Sequence, residues 1–142
     1  MFVDEKSLVI EFLSQLKNTS SPWKIMSYGT EFNYQRGRTD IIIVSDNDKV
    51  IAIEAKLKKW KQALQQAYRN KCFADLSYVL LPITEVNKAL KHDIEFNKRG
   101  VGLCSITENG INIIYEAHES QPLQPWLKKK ALIFVKNNSK KK

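Results

Sequence analysis

Cysteine is scarce in this chain: Cys72 and Cys104 are the only two, 32 residues apart and without CxxC spacing. A disulfide scaffold and a cysteine-ligated zinc site are therefore excluded, and buried free thiols are expected. Long apolar runs are missing too. No stretch approaches the roughly 18 uncharged residues of a membrane-spanning helix. The opening MFVDEKSLVIEF carries Asp4, Glu5 and Glu11, where a secretion signal would be basic and then apolar. The expected location is the cytoplasm, with no membrane partner. No stretch rich in glycine, proline or serine forms a linker, and no repeat divides the 142 residues. That length suits one domain, here residues 1–136, followed by a basic, disordered tail at 137–142. His92 and His118 lie far apart without metal-ligand spacing, and both read as surface residues. No GxGxxG loop, Walker A loop or GxSxG elbow occurs, so nucleotide-fold and serine-hydrolase signatures are absent. Trp23, Trp60 and Trp126 form no recognisable stacking array and read as core or rim residues.

What is abundant is positive charge. Lysine and arginine number 23 against 15 acids, a net +8. Such an excess attracts polyanions, nucleic acid foremost. Four of those lysines lie in the terminal KNNSKKK, and without them the net charge falls to +4.

The apolar periodicity predicts a helix over about 5–17, with Leu8, Phe12, Leu13 and Leu16 on one stripe. A strand over about 23–32 enters a bend near Gly29. Two β-rich runs, 39–45 and 49–57, flank Asp46-Asn47-Asp48 and read as a hairpin. A basic helix follows at about 58–71, then a strand at 76–82 and a helix from Thr84, its N-cap, to about Lys98. Two strands joined through Glu108-Asn109-Gly110 make a last hairpin. The segment LKKKALIFVK reads equally as helix or edge strand. Strands apolar on both faces predict a central mixed sheet covered by helices on either side, a three-layer α/β/α sandwich.

The informative stretch is Gly37-Arg38-Thr39-Asp40, its Ile/Val run, and Glu54-Ala55-Lys56. Side chains alternate along a strand, so Glu54 and Lys56 should share a face. If Val44 faces Val50, paired positions sum to 94 and Asp40 faces Glu54, with directly opposite Cβ atoms about 5 Å apart. Two carboxylates on apolar strands repel and are poorly solvated. A divalent cation relieves both penalties: Mg²⁺ takes one or two carboxylates and leaves positions for water and a substrate phosphate. Lys56 would then stabilise the developing anion or orient the attacking water.

Thr39-Asp40, a spacer of thirteen residues and Glu54-Ala55-Lys56 resemble the PD-(D/E)XK motif of the restriction-endonuclease-like nuclease superfamily. Thr39 replaces the proline of the motif's name. The element order αβββαβ over about residues 5–106, with C-terminal additions, is similar to that superfamily's core. The resemblance implies Mg²⁺-dependent hydrolysis of phosphodiesters, usually in DNA, with Mn²⁺ able to substitute. It implies Asp40 and Glu54 as ligands, the Ala55 main-chain carbonyl as a further one, and Lys56 as catalytic. Some branches add an acid, here Glu11 (Glu5 less readily) or Glu31. RecB-type relatives carry Gln and Tyr in the helix after the motif, where this chain has Gln62, Gln65, Gln66 and Tyr68. With Arg38, Lys58 and Arg69, the residues Gln62, Gln66 and Tyr68 form the candidate nucleic-acid surface.

The leading expectation is therefore a nuclease, acting on DNA ahead of RNA, alone, as a homodimer or within a larger complex. A catalytically inactive module of the same fold, recruiting nucleic acid or a partner protein, is the alternative. A purely electrostatic RNA-binding or ribosome-associated protein is a third class, and it leaves Asp40 and Glu54 without a purpose.

Overall fold

Asp4 opens the first helix by accepting the Ser7 N–H at 2.8 Å and its hydroxyl at 2.6 Å, which satisfies a donor the helix cannot. The computed structural model describes residues 2–17, 21–34, 37–138 and 140–141. Within them the order is α1 (Glu5–Leu16), β1 (Ile25–Tyr34), β2 (Gly37–Ser45), β3 (Val50–Ala55), α2 (Trp60–Asn70), β4 (Leu76–Leu80), α3 (Ile83–Leu90), α4 (Asp93–Arg99), β5 (Gly102–Thr107), β6 (Gly110–Tyr115), α5 (Pro125–Asn138) and β7 (Lys140–Lys141). No helix among the described residues is long and apolar enough to cross a membrane.

The β2–β3 hairpin forms as its composition predicts. Asn47 and Asp48 turn the chain with φ of 65° and 56°, a region that short polar side chains tolerate. The register then runs from Val44↔Val50 to Ile41↔Ile53, so paired positions sum to 94. The full sheet is ordered β6-β5-β4-β3-β2-β1-β7. Its central pairs β3–β4 and β4–β5 are parallel, and the outer pairs are antiparallel. Helical crossovers between parallel strands demand apolar residues on both sheet faces. On one face Leu8, Phe12 and Leu16 of α1 pack over Ile41, Ile43, Ile51 and Ile53. On the other, α5 covers Ile42, Val44, Val50 and Ala52, while α2, α3 and α4 cover Val79 and Leu103. The chain is an α/β protein in three layers, in the expected order αβββαβ with additions after it.

Three local expectations change. The helix from Thr84 to Lys98 is two helices, broken at Lys91-His92, where His92 stacks on Trp60 at 4.3 Å. The break turns Phe96 inward to meet Trp60 and Tyr115. Thr84 is not the cap: Pro82 occupies that position without a side-chain cap bond, and its fixed φ suits a helix start. No bend occurs at Gly29, where β1 runs straight through. A Cβ there would lie 3.3 Å from the Phe134 ring, so the glycine lets α5 approach the strand. The ambiguous segment after 119 forms α5, with Leu127, Ala131 and Val135 buried. Of the expected tail, Asn137 and Asn138 lie in α5 and the Lys140–Lys141 backbone pairs with Ser27 and Tyr28. Ser139 and Lys142 lie outside the described residues.

Asp75 ties the far ends of these layers together. Its carboxylate accepts the Val50 N–H at 2.8 Å and holds Lys128 of α5 at 2.9 Å. Asp75→Ala leaves both donors short in a largely buried place, and is expected to lower stability by about 3 kcal/mol in urea denaturation. Ile133→Ala, on the exposed face of α5, should change it by less than about 0.5 kcal/mol.

Candidate active site

β1 and β2 remain paired out to Tyr34↔Gly37, whereas β2 and β3 are last paired at Ile41↔Ile53. The strands therefore part at Asp40 and Glu54, the positions that the register sets opposite each other. Asp40 Oδ2 reaches across the opening and accepts the Ala55 N–H at 2.8 Å. On β3's other side the Lys56 N–H donates to the Leu80 carbonyl at 3.1 Å. Backbone groups alternate sides along a strand, so the Ala55 carbonyl points with its N–H toward β2. A carboxylate and a main-chain carbonyl thus open on one gap.

The facing of β2 reverses at the same point. Ile41 and Ile43 pack under α1, yet Thr39 points to α2, where its hydroxyl donates to Asn70 Oδ1 at 2.9 Å. Across the hairpin, Glu31 lies between the paired positions Thr30↔Ile41 and Phe32↔Thr39 with φ of 59°, an uncommon conformation outside glycine. Phe32 and Tyr34 consequently share Thr39's face. The Tyr34 hydroxyl donates to Asn70 Oδ1 at 2.6 Å, and Asn70 Nδ2 donates to Glu54 Oε1 at 3.0 Å. Two donors on Oδ1 fix which way the amide points, so its N–H must aim at the glutamate. Gln66 extends the chain by donating to the Tyr34 hydroxyl and the Arg38 carbonyl, each at 3.3 Å.

Glu54 is 5% exposed. Burial, followed by the charge of Asp40 and a hydrogen bond shared with that carboxyl, raises its pKa to about 8, against the opposing pull of Asn70 and Lys56. Burial likewise pushes the Tyr34 phenol upward, and Glu54's charge adds to the effect, so Tyr34 remains a neutral donor. The site is an acid pair whose second negative charge is unfavourable as it stands.

Lys56 lies just past the end of β3 and does not share Glu54's orientation. Its ammonium leans toward α1, 3.8 Å from Glu5, while still acting on Glu54 electrostatically. The helix acid near the motif lysine is therefore Glu5. Glu11 instead accepts from Gln15 at 3.0 Å, one turn along its own helix. Glu31 turns to Arg38 at 3.4 Å on the exposed hairpin surface. No group of three or more His, Cys, Asp or Glu side chains converges as a metal cage among the described residues. Of the candidate nucleic-acid residues, Gln66 and Arg38 border the site through the bonds above, and Gln62 is exposed one turn before Gln66. Lys58 lines a separate groove with Phe2, Pro82 and Ile83. Tyr68 and Arg69 line another cavity, with Lys71 and Ser120.

Asn70 and Tyr34 were not singled out in the sequence. Asn70 carried a signal nonetheless: it falls on α2's buried stripe with Ala63, Leu64 and Ala67, where an amide requires a polar partner. Tyr34 is legible only once the face reversal is known.

No protein-family model matches the chain, and no curated protein matches it in sequence. In fold it is similar to a protein of unknown function from Silicibacter pomeroyi, with a TM-score of 0.60 at 17% identity, over 78% of this chain and 71% of that one. A repair endonuclease from Pyrococcus abyssi overlaps with a TM-score of 0.44 at 15% identity, over 84% of this chain and 46% of the endonuclease. SfsA from Pyrococcus furiosus, in complex with Ca²⁺, overlaps with 0.41 at 12% identity, over 80% and 62%. Overlaps as low as these last two leave the functional reading to the site itself.

A glutamate with a raised folded pKa makes the native state hold its proton longer than the unfolded chain does. Its stabilising contribution is full below the ordinary value of 4.5 and is lost as pH rises through about 8. Glu54→Gln should match the wild type near pH 5 in EDTA. Near pH 8.5 it should be more stable, by on the order of 2–4 kcal/mol in urea denaturation. Equal stability of the two proteins at both pH values would contradict the assignment.

Proposed function

We propose that the protein is a divalent-metal-dependent nuclease that hydrolyses phosphodiester bonds, with DNA as its preferred substrate. The observation that carries this reading is the opening between β2 and β3, where Asp40, Glu54 and the Ala55 carbonyl converge and where burial and Asp40 disfavour Glu54's charge more than Asn70 and Lys56 support it. The donor set is all oxygen, which fits Mg²⁺ or Mn²⁺ and not a thiolate- or imidazole-seeking metal. Asp40, Glu54 and the Ala55 carbonyl would hold the ion, with water and a substrate phosphate completing the shell. What such an ion supplies is neutralisation of phosphate charge and an acidified water.

The chain's own groups do the rest. Asn70, oriented by Thr39 and Tyr34, fixes one oxygen of Glu54 and leaves the other to the opening. Lys56, on a flexible stem beside the motif, leaves its weak contact with Glu5 to stabilise negative charge on the phosphate or to orient the water. Gln66 borders the same opening and would contact the substrate backbone, whereas Arg38 meets it through its carbonyl and carries its guanidinium to Glu31.

The direct test incubates wild type, Glu54→Ala and Lys56→Ala with linear, circular, single-stranded and branched DNA in Mg²⁺, Mn²⁺ or EDTA. Cleavage is expected with either metal and not in EDTA; it should be abolished in Glu54→Ala and reduced about 10²–10³-fold in Lys56→Ala. Absence of cleavage on every substrate, with nucleic-acid binding intact, would replace the enzyme with a recruitment module. Asn70→Ala should weaken Mn²⁺ affinity about 10–100-fold by calorimetry, as loss of a group orienting a metal ligand does.

A further inference from the structure

Two long segments of the chain, residues 55–74 and 120–142, contain no acid, yet together they hold thirteen of the 23 lysines and arginines. The fold brings residues 68–72 beside residues 120–124. The Gln124 N–H donates to the Cys72 carbonyl at 2.9 Å, and the cavity beyond α2 has Tyr68, Arg69 and Lys71 on one wall and Ser120 and Leu123 on the other. The acids bordering this strip are already engaged: Asp75 holds Lys128, and Glu119 holds Lys49 at 2.7 Å.

Aromatic exposure coincides with this strip. Among the described residues, the aromatics counted with the exposed large apolar side chains are Tyr68, 52% exposed, and Trp126, 47% exposed. Tyr68 lies on the cavity wall, and Trp126 lies one turn beyond Leu123 at the start of α5, with the Lys130 ammonium 5.5 Å from its ring centre. Lys129 and Lys130 are exposed on the same helix, whose buried stripe is Leu127, Ala131 and Val135.

We propose that this strip binds single-stranded nucleic acid, with bases stacking on Tyr68 and Trp126 and phosphates meeting Arg69, Lys129 and Lys130. Cations alone fit any polyanion. Exposed rings interleaved with them fit unpaired bases, which every single strand offers and a duplex hides in its stack. The ring of Trp126 already carries a cation, the arrangement that tracks a phosphate beside a stacked base. The strip uses none of the carboxylates of the candidate active site, so its binding stands apart from catalysis. Joined to the proposed nuclease, it would favour substrates that carry a single-stranded segment.

The test measures fluorescence anisotropy of the full chain in EDTA with three probes: a labelled oligothymidylate of about 20 nucleotides, a duplex of equal length, and phosphatidylserine-containing vesicles. The oligothymidylate is expected to bind about tenfold more tightly than the duplex and to quench tryptophan fluorescence. Tyr68→Ala and Trp126→Ala should each weaken single-strand binding about 5–50-fold and leave duplex binding unchanged. The quenching should vanish in Trp126→Phe. Lys129→Glu with Lys130→Glu should weaken both nucleic acids and make the salt dependence shallower by about two phosphates. Single-strand affinity unaltered in both aromatic variants, a preference for duplex, or binding to vesicles alone would each overturn the proposal. Glu54→Ala, expected to lose cleavage, should bind oligothymidylate as the wild type does, so failure of the nuclease reading and failure of this one are told apart.

Discussion

Everything near the candidate site answers to one constraint, a carboxylate buried at the end of a central strand. Glu54 has the Asp40 carboxyl as its neighbour and almost no solvent. A residue in that position destabilises the protein unless its proton stays or a cation arrives. The local structure holds it regardless: Asn70 is aimed from α2, Thr39 and Tyr34 fix the amide, and the parted strands bring the Ala55 N–H to Asp40. Stability is given up at the place where an oxygen-lined opening is made.

The hairpin that frames the opening departs from regular β geometry at the same place. Up to Ile41 its side chains obey the alternation that packs them under α1, and beyond Asp40 they turn to α2. The left-handed residue opposite, Glu31, takes up the reversal, and one irregular position thereby assigns Thr39 and Tyr34 to the carboxylate pair. The positive charge is arranged on a larger scale. The two acid-free segments converge on the α2–α5 face, while the acids of α1, Glu5 and Glu11, lie in the opposite layer or at its end.

Much of this could be read from residues alone because the signals were local. The Ile/Val runs around Asp46-Asn47-Asp48 set the hairpin and its sum-94 register, which in turn set Asp40 opposite Glu54. α1, α2 and the last hairpin followed from periodicity and turn chemistry. Features that depended on tertiary context were not legible. The break at His92 serves a stack with Trp60 from another helix, and Gly29 answers to Phe134 of α5. The expectation that Glu54 and Lys56 share a face assumed a strand continuing past Ala55, whereas β3 ends there and Lys56 leans to Glu5. Asn70 needed the recognition that an amide on an apolar stripe must have a partner. Tyr68 and Arg69 read as part of the nucleic-acid surface of α2; in the fold they line the cavity shared with Ser120 and Leu123.

In the proposed reading, Glu54 keeps its proton beside Asp40 until a cation binds. Calorimetric titration of Mn²⁺ near pH 7, in two buffers of different ionisation enthalpy, tests it without assuming a substrate. The account predicts one ion per chain, with close to one proton released as it binds, because the ligand must be deprotonated. Glu54→Gln should lose both the binding and the release. Binding without proton release, or binding that survives Glu54→Gln unchanged, would contradict it.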